Sequence, residues 1–311
     1  MSPLEILQQM AVILILVSIG IFLCRRGVTD KLTSKQLSTI VMDVCNPALI
    51  LASILSGDIT AGAFDVLIAI GLGLIFYGIL VFLGFALPHI LKVGPDRKRV
   101  FNVMTVYTNT GFIGIPVARA ILPPNAMIYV VVINVLYSLL FYTHGITILS
   151  GSKSKPDIKK IFNPGTIMAI LSLVVFAFGI KLPGFLSNTI SYIGNATVFL
   201  SMILLGAAIY RSNLKEGFKD GKIWAYIVIR MMIVPILIFC LLSVMQIDKD
   251  AVLALSLMAC VPVGNLPLIQ AEKMGEDTST LSLAIAVTTV MSLITITALM
   301  SFFSFFAYSV F

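Results

Sequence analysis

Charge is what this sequence has least of. Only 11% of its 311 residues are Asp, Glu, Lys or Arg, and 59% are hydrophobic, whereas an ordinary globular domain carries about 25% charged residues. A chain so composed cannot cover itself with polar surface in water. Histidine is almost missing too: His89 falls in a loop and His144 near a helix end, so no Ser/His or metal-ligand arrangement is visible and an enzyme is not expected. The four cysteines, Cys24, Cys45, Cys240 and Cys260, lie within or at the ends of apolar runs without a CxxC pair. They read as small packing residues, and neither a metal nor another cofactor is expected. A net charge of +7 would suit a nucleic-acid partner, but the positions of the basic residues give it another meaning.

Long apolar runs are what the chain has in abundance. Ile6 to Leu23, Phe64 to Leu87 and Thr280 to Phe306 each approach or exceed the roughly 20 residues that cross a bilayer. The first run lacks a basic leader and a small-residue cleavage site, so it is expected to remain as the first helix. The pattern predicts an all-α membrane protein with ten transmembrane helices, at about 3–24, 35–56, 62–91, 98–121, 125–149, 163–181, 185–210, 220–246, 250–273 and 277–309. Alternate loops then hold 17 of the 21 Lys and Arg residues, the opposite loops only Lys181 and Lys249, and Arg119 and Arg230 fall inside helices. The positive-inside rule puts both termini outside, with the lipid bilayer as the chain's solvent.

Five helices per half is an odd number, so two related halves must enter the membrane from opposite sides. A trace of that relation survives: Leu37–Gly57 laid on Leu186–Gly206 at a constant offset of 149 matches Asn46 with Asn195 and Gly57 with Gly206. The expected organisation is a first five-helix repeat over 1–150, a cytoplasmic linker over 151–163 rich in Ser, Lys and Pro, and a second, inverted repeat over 164–311. Helix 4 contains Asn109-Thr110-Gly111-Phe112-Ile113-Gly114-Ile115-Pro116, and helix 9 contains Pro262-Val263-Gly264-Asn265-Leu266-Pro267. Proline removes a backbone donor and glycine permits non-helical angles, so each cluster is expected to break its helix inside the membrane. Pro116-x-x-x-Ala120 matches Pro267-x-x-x-Ala271 at an offset of 151. Paired interrupted helices in equivalent positions point to a transport site, and their half-helix N-termini favour an anion. The predicted binding residues are Asn109, Thr110, Gly111, Gly114 and Pro116 from one half, and Pro262, Gly264, Asn265 and Pro267 from the other.

Three charged residues inside helices are candidates for coupling or for meeting substrate charge: Asp43 in helix 2, Arg119 just after Pro116, and Arg230 in helix 8. Charge at such depth is costly enough to raise the question of function, while a paired or snorkelling structural role is the simpler reading. His144 reads as interfacial; Asn134, Thr288, Thr289 and Ser292 either line the core or bond between helices. Coupling to protons or sodium is left open.

The stretch Asn109-Thr-Gly-Phe-Ile-Gly-Ile-Pro116, together with Asn46-Pro47-Ala48-Leu49-Ile50 in helix 2, resembles the auxin efflux carrier family, which includes plant auxin exporters and bacterial organic-acid permeases of the malate/malonate type. The resemblance implies crossing broken helices 4 and 9, in the manner of sodium/proton antiporters and bile-acid symporters. It also implies a scaffold of helices 1, 2, 6 and 7, mobile transport helices 3–5 and 8–10, an elevator-like cycle and a homodimer. It implies, too, a carboxylate substrate held at the crossover by Asn109. The plant exporters' long cytoplasmic loop is replaced here by the short linker, which favours a permease for small acids in a bacterial cytoplasmic membrane. A sodium-coupled symporter of the bile-acid type shares the architecture, but helix 9 lacks a midplane acid to recruit a cation. A transporter-like sensor is the remaining alternative.

Overall fold

The computed structural model describes residues 3–55, 63–151, 162–211, 221–274, 276–277 and 279–310. Most of the expected linker, the basic residues Lys215 and Lys219, and Gly57 lie outside the described residues. Among the described residues the chain is helical apart from its turns and one isolated β-bridge. The helices are α1 (Pro3–Arg25), α2 (Lys31–Ile40), α3 (Asn46–Leu55), α4 (Ala63–Ile90), α5 (Lys98–Val106), α6 (Ile115–Ile121), α7 (Met127–Leu140) and α8 (Ile146–Ser150). They continue as α9 (Pro164–Ala177), α10 (Gly184–Arg211), α11 (Gly221–Val228), α12 (Val234–Val244), α13 (Lys249–Cys260), α14 (Asn265–Met274) and α15 (Ser279–Val310).

Helical structure falls on each of the ten expected segments. Among the described residues, five stretches are, by length and composition, fit to cross a membrane alone: Phe64–Ile90, Pro124–Ser150, Gly184–Arg211, Gly221–Val244 and Ser279–Ala307. The second expected helix begins earlier than its hydropathy suggests, at Lys31, because Asp30 accepts a hydrogen bond from Thr33 N at 2.7 Å and caps the first turn. Asn163 does the same for α9, accepting from Thr166 N at 3.1 Å ahead of Pro164, whose missing N–H costs nothing there.

Among the described residues, four π turns were not foreseen, at Val41–Cys45, Thr110–Gly114, Phe141–Gly145 and Ile229–Ile233. Three of them insert one extra residue into a continuous helix, and Thr110–Gly114 opens the half-helix that continues as α6; such distortions are common at functional sites. Together they carry Asp43, the glycines of helix 4, His144 and Arg230.

Packing places α10 between α1 and α3, with α9 against α3. The α1–α10 contact is backbone to backbone: a β-carbon on Gly206 would overlap Val17 O, and one on Gly20 would sit 2.5 Å from Ile203 O. The remaining helices form a second group in which α4 packs on α5 and α7, and α13 on α12 and α15. Basic ends gather together. Arg211 donates to Thr29 O and Ser34 Oγ, both at 3.0 Å, and Lys222 Nζ donates to Lys92 O at 2.6 Å. Asp65, Asp248 and Asp250 all lie within electrostatic reach of Tyr129, near the other ends of these helices.

Candidate functional site

The fourth and ninth expected helices are both interrupted, and their interruptions touch. Between α5 and the π turn that leads into α6, residues Tyr107–Asn109 leave the helical path; between α13 and α14, residues Val261–Gly264 do the same. Thr108 and Val263 form an antiparallel bridge. Asn109 N donates to Pro262 O at 2.8 Å, and Gly264 N donates to Tyr107 O at 3.0 Å. Thr288 of α15 completes the joint, its hydroxyl accepting from Val263 N at 3.2 Å and donating to Ala284 O at 2.6 Å. Backbone groups left bare in hydrocarbon cost several kcal/mol each. Here the two breaks satisfy one another.

Glycine and proline act one step away from where composition alone would put them. In helix 4 the unwound residues precede the glycines, and the chain recloses as a π turn in which Gly114 N and Ile113 N both donate to Asn109 O, at 2.9 and 3.2 Å. Pro116 then stands two residues past the π turn, inside the helical run that opens at Thr110, where its missing N–H and its ring favour the wider turn ahead of it. In helix 9, Pro262 and Gly264 lie in the break itself. A β-carbon on Gly264 would stand 2.9 Å from Thr108 O and 3.0 Å from Tyr107 O, so only glycine admits the other chain so closely.

Beside the joint lies a cavity of about 80 Å³. Of the predicted residues, Asn109, Thr110, Gly111, Gly264 and Asn265 line it. Gly114, Pro116, Pro262 and Pro267 are buried and shape the backbone without lining it. Three helix starts converge there: the π turn before α6, the first residue of α14, and the Asn163 cap of α9. The wall also takes Asn46, Asn134 and Ser138 as polar members, and Met42, Ile50 and Leu266 as apolar ones. Asn46 Oδ1 is buried without a partner, and its Nδ2 faces Gly111. Asn134 accepts from Thr110 Oγ1 at 3.2 Å and donates to Val130 O at 3.2 Å. No Lys, Arg, Asp, Glu or His belongs to the lining among the described residues.

The three charged candidates go elsewhere. Asp43 is exposed on its π turn, next to Met42 of the lining but not part of it. Arg119 is half-buried near the end of α6, away from the cavity, with Nη1 lacking a partner. Arg230, 1% exposed, lies behind the joint with its Nε 3.1 Å from Thr105 O and Nη1 2.6 Å from Ala259 O. His144 is tied to the crossing as well, with Nδ1 2.8 Å from Tyr107 Oη, which also bonds Leu140 O at 2.9 Å. Among the described residues no group of three His, Cys, Asp or Glu is placed to hold a metal ion.

Apolar helices of membrane-crossing length mark an integral membrane protein, here with two interrupted helices joined backbone to backbone. A family model described as "Membrane transport protein" matches residues 5–160 and 152–300, and the chain belongs to this family, the auxin efflux carriers. An "Uncharacterized transporter" of Methanocaldococcus jannaschii is 27% identical over 310 residues, covering 95% of this chain and 97% of that one. A second "Uncharacterized transporter", from Methanothermobacter thermautotrophicus, is 22% identical over 287 residues, with 91% and 94% covered. Both relatives are archaeal, so they lend no support to a specifically bacterial membrane.

Proposed function

We propose that the chain is a secondary transporter that carries a small carboxylate across the membrane by alternating access. The observation that carries this reading is the joint itself: two interrupted helices bonded backbone to backbone beside a cavity lined by amides and helix starts. Each helix start presents roughly half a positive charge. Asn109, Asn265 and Asn46 add neutral groups that can donate, and among the described residues the wall holds no carboxylate to repel an anion.

The packing supports the inverted halves and the elevator. Contacts recur with the halves exchanged: α1 on α10 pairs with α9 on α3, α4 on α5 with α12 on α13, and α5 on α15 with α13 on α7. On this reading 1–150 and 164–311 are the two five-helix repeats, all ten segments span, and the gathered basic ends are cytoplasmic with both termini outside. The cavity lies between two groups of helices. Met42, Asn46, Ile50, Asn163 and Gly165 come from the expected scaffold, and the other lining residues from the expected transport helices. A substrate held at that boundary changes sides when one group slides past the other. A homodimer through the scaffold belongs to the same reading.

The test is a solid-supported-membrane current assay on proteoliposomes over a panel of mono- and dicarboxylates, varying sodium and pH separately. A saturable current for at least one small carboxylate, reduced in Asn109→Ala, is expected. Silence across the panel from well-folded protein overturns the reading.

A further inference from the structure

The joint has two electrical sides, and the cavity uses only one of them. While the half-helix starts face the cavity, the half-helices α5 and α13 end against each other behind it, at Val106 and Cys260. Helix ends carry roughly half a negative charge each, so the pair presents about one unit of negative charge in a buried place. Arg230 meets it. Its side chain is among the largest fully buried ones, and it divides two hydrogen bonds between the two helices, Nε to Thr105 O and Nη1 to Ala259 O. Each carbonyl lies one residue from the end of its half-helix.

Carbonyls at half-helix ends and in unwound segments are the groups with which transporters of interrupted helices coordinate sodium. We propose that Arg230 is the resident cation of this crossing: its guanidinium holds the carbonyls that a coupling sodium ion would need, and it keeps α5 and α13 moving as one body. Transport then proceeds without sodium. This rests on the transport reading above. Arginine suits the place because its planar fork spans two acceptors and stays charged, whereas an ammonium is a single, strongly hydrated point charge that gives up its proton readily when buried. A buried arginine without such partners would be strongly destabilising. Here the charge of the two helix ends offsets it.

The experiment has two arms. In the first, the melting temperature of purified wild-type protein and of Arg230→Ala is followed while sodium chloride is exchanged for N-methyl-glucamine chloride at constant ionic strength, and millimolar guanidinium chloride is then added. The wild type should ignore the exchange. Arg230→Ala should melt lower and be raised by guanidinium but not by the same concentration of potassium, a rescue that a loss of packing alone would not give. In the second arm, uptake of the transported carboxylate by wild-type proteoliposomes should change by less than about twofold when sodium is removed. A fall of about tenfold or more in that uptake, specific stabilisation of the wild type by sodium, or a folded Arg230→Ala that guanidinium fails to raise would each overturn the proposal. Should Arg230→Ala not fold, the response of the wild type to sodium decides the matter alone. If no carboxylate is taken up while guanidinium rescue holds, the transport reading fails and the resident cation stands.

Discussion

Asn109 and Asn265 reach the same cavity from opposite halves of the chain, one buried and one half-buried, and their amides are the residue-scale core of the proposed site. A hydrogen bond to a charged group is worth roughly 1.5–3 kcal/mol, so Asn109→Ala or Asn265→Ala should weaken carboxylate binding by about one to two decades. Binding titration alongside thermal shift checks this: a lower melting temperature with unchanged affinity would mean that the amides serve only the backbone of the breaks. Asp43 calls for a separate measurement, because it is exposed beside the cavity wall. If it carries a transported proton, Asp43→Asn should remove the pH dependence of uptake while leaving counterflow exchange intact, since an amide imitates a carboxyl that never ionises. A pH profile parallel to that of the wild type would assign Asp43 a structural role. Local chemistry made Asn109 and Asn265 legible in the sequence, as each adjoins a Gly and Pro cluster. Asn46 stood out through the internal repeat and the family resemblance but not as a cavity residue, and Asn163, Ser138 and Met42 did not stand out, because they reach the cavity from helices whose own patterns carry no Gly and Pro cluster at mid-span. For Asn163 a partial signal existed. Asn-Pro-Gly-Thr announces a helix start, but nothing in one sequence says what that start faces.

Between elements, the contact that tolerates least is the approach of Gly264 to the backbone of Tyr107 and Thr108. Gly264→Ala should force the two breaks apart, costing about 1–3 kcal/mol by overpacking and removing uptake together with a drop in melting temperature. Gly78→Ala in α4, where a β-carbon meets nothing within 4 Å, is the matched control and should leave both unchanged. Equal behaviour of the two variants would mean that the joint yields easily. The interruptions themselves were legible, since proline and glycine inside an apolar helix have few other uses. Their exact position was not: in helix 4 the unwound residues are Tyr107–Asn109, ahead of the glycines. The reason is that the partner chain, through Pro262 O and Gly264 N, selects which backbone groups are freed. Three of the π turns do carry a mark: Pro47, Pro116 and Pro235 stand two residues beyond Val41–Cys45, Thr110–Gly114 and Ile229–Ile233, where a missing N–H and a ring that crowds the preceding turn favour the wider helix. Phe141–Gly145 has no proline beyond it, and a single inserted residue shifts an apolar stripe too little to be seen.

For the whole molecule, two equivalent loops offer a measurement of the inverted arrangement. Asp96 is exposed in the turn between α4 and α5, and Asp248 in the turn between α12 and α13. In a cysteine-free background, Asp96→Cys should react with a membrane-impermeant thiol reagent from the cytoplasmic side and Asp248→Cys from outside. Labelling of both from one side would defeat the inverted halves, whatever the substrate. The joint between the breaks also bears on inheritance. Its bonds, Asn109 N to Pro262 O and Gly264 N to Tyr107 O, run main chain to main chain, and apart from Gly264 they are indifferent to which side chains hang beside them. A lineage can therefore rewrite the wall of the cavity while the crossing keeps its shape, so that diet evolves faster than architecture. Selection of variants for growth on a new acid should accordingly collect changes at Met42, Ile50, Ser138 and Leu266, and leave 107–109 and 262–264 untouched.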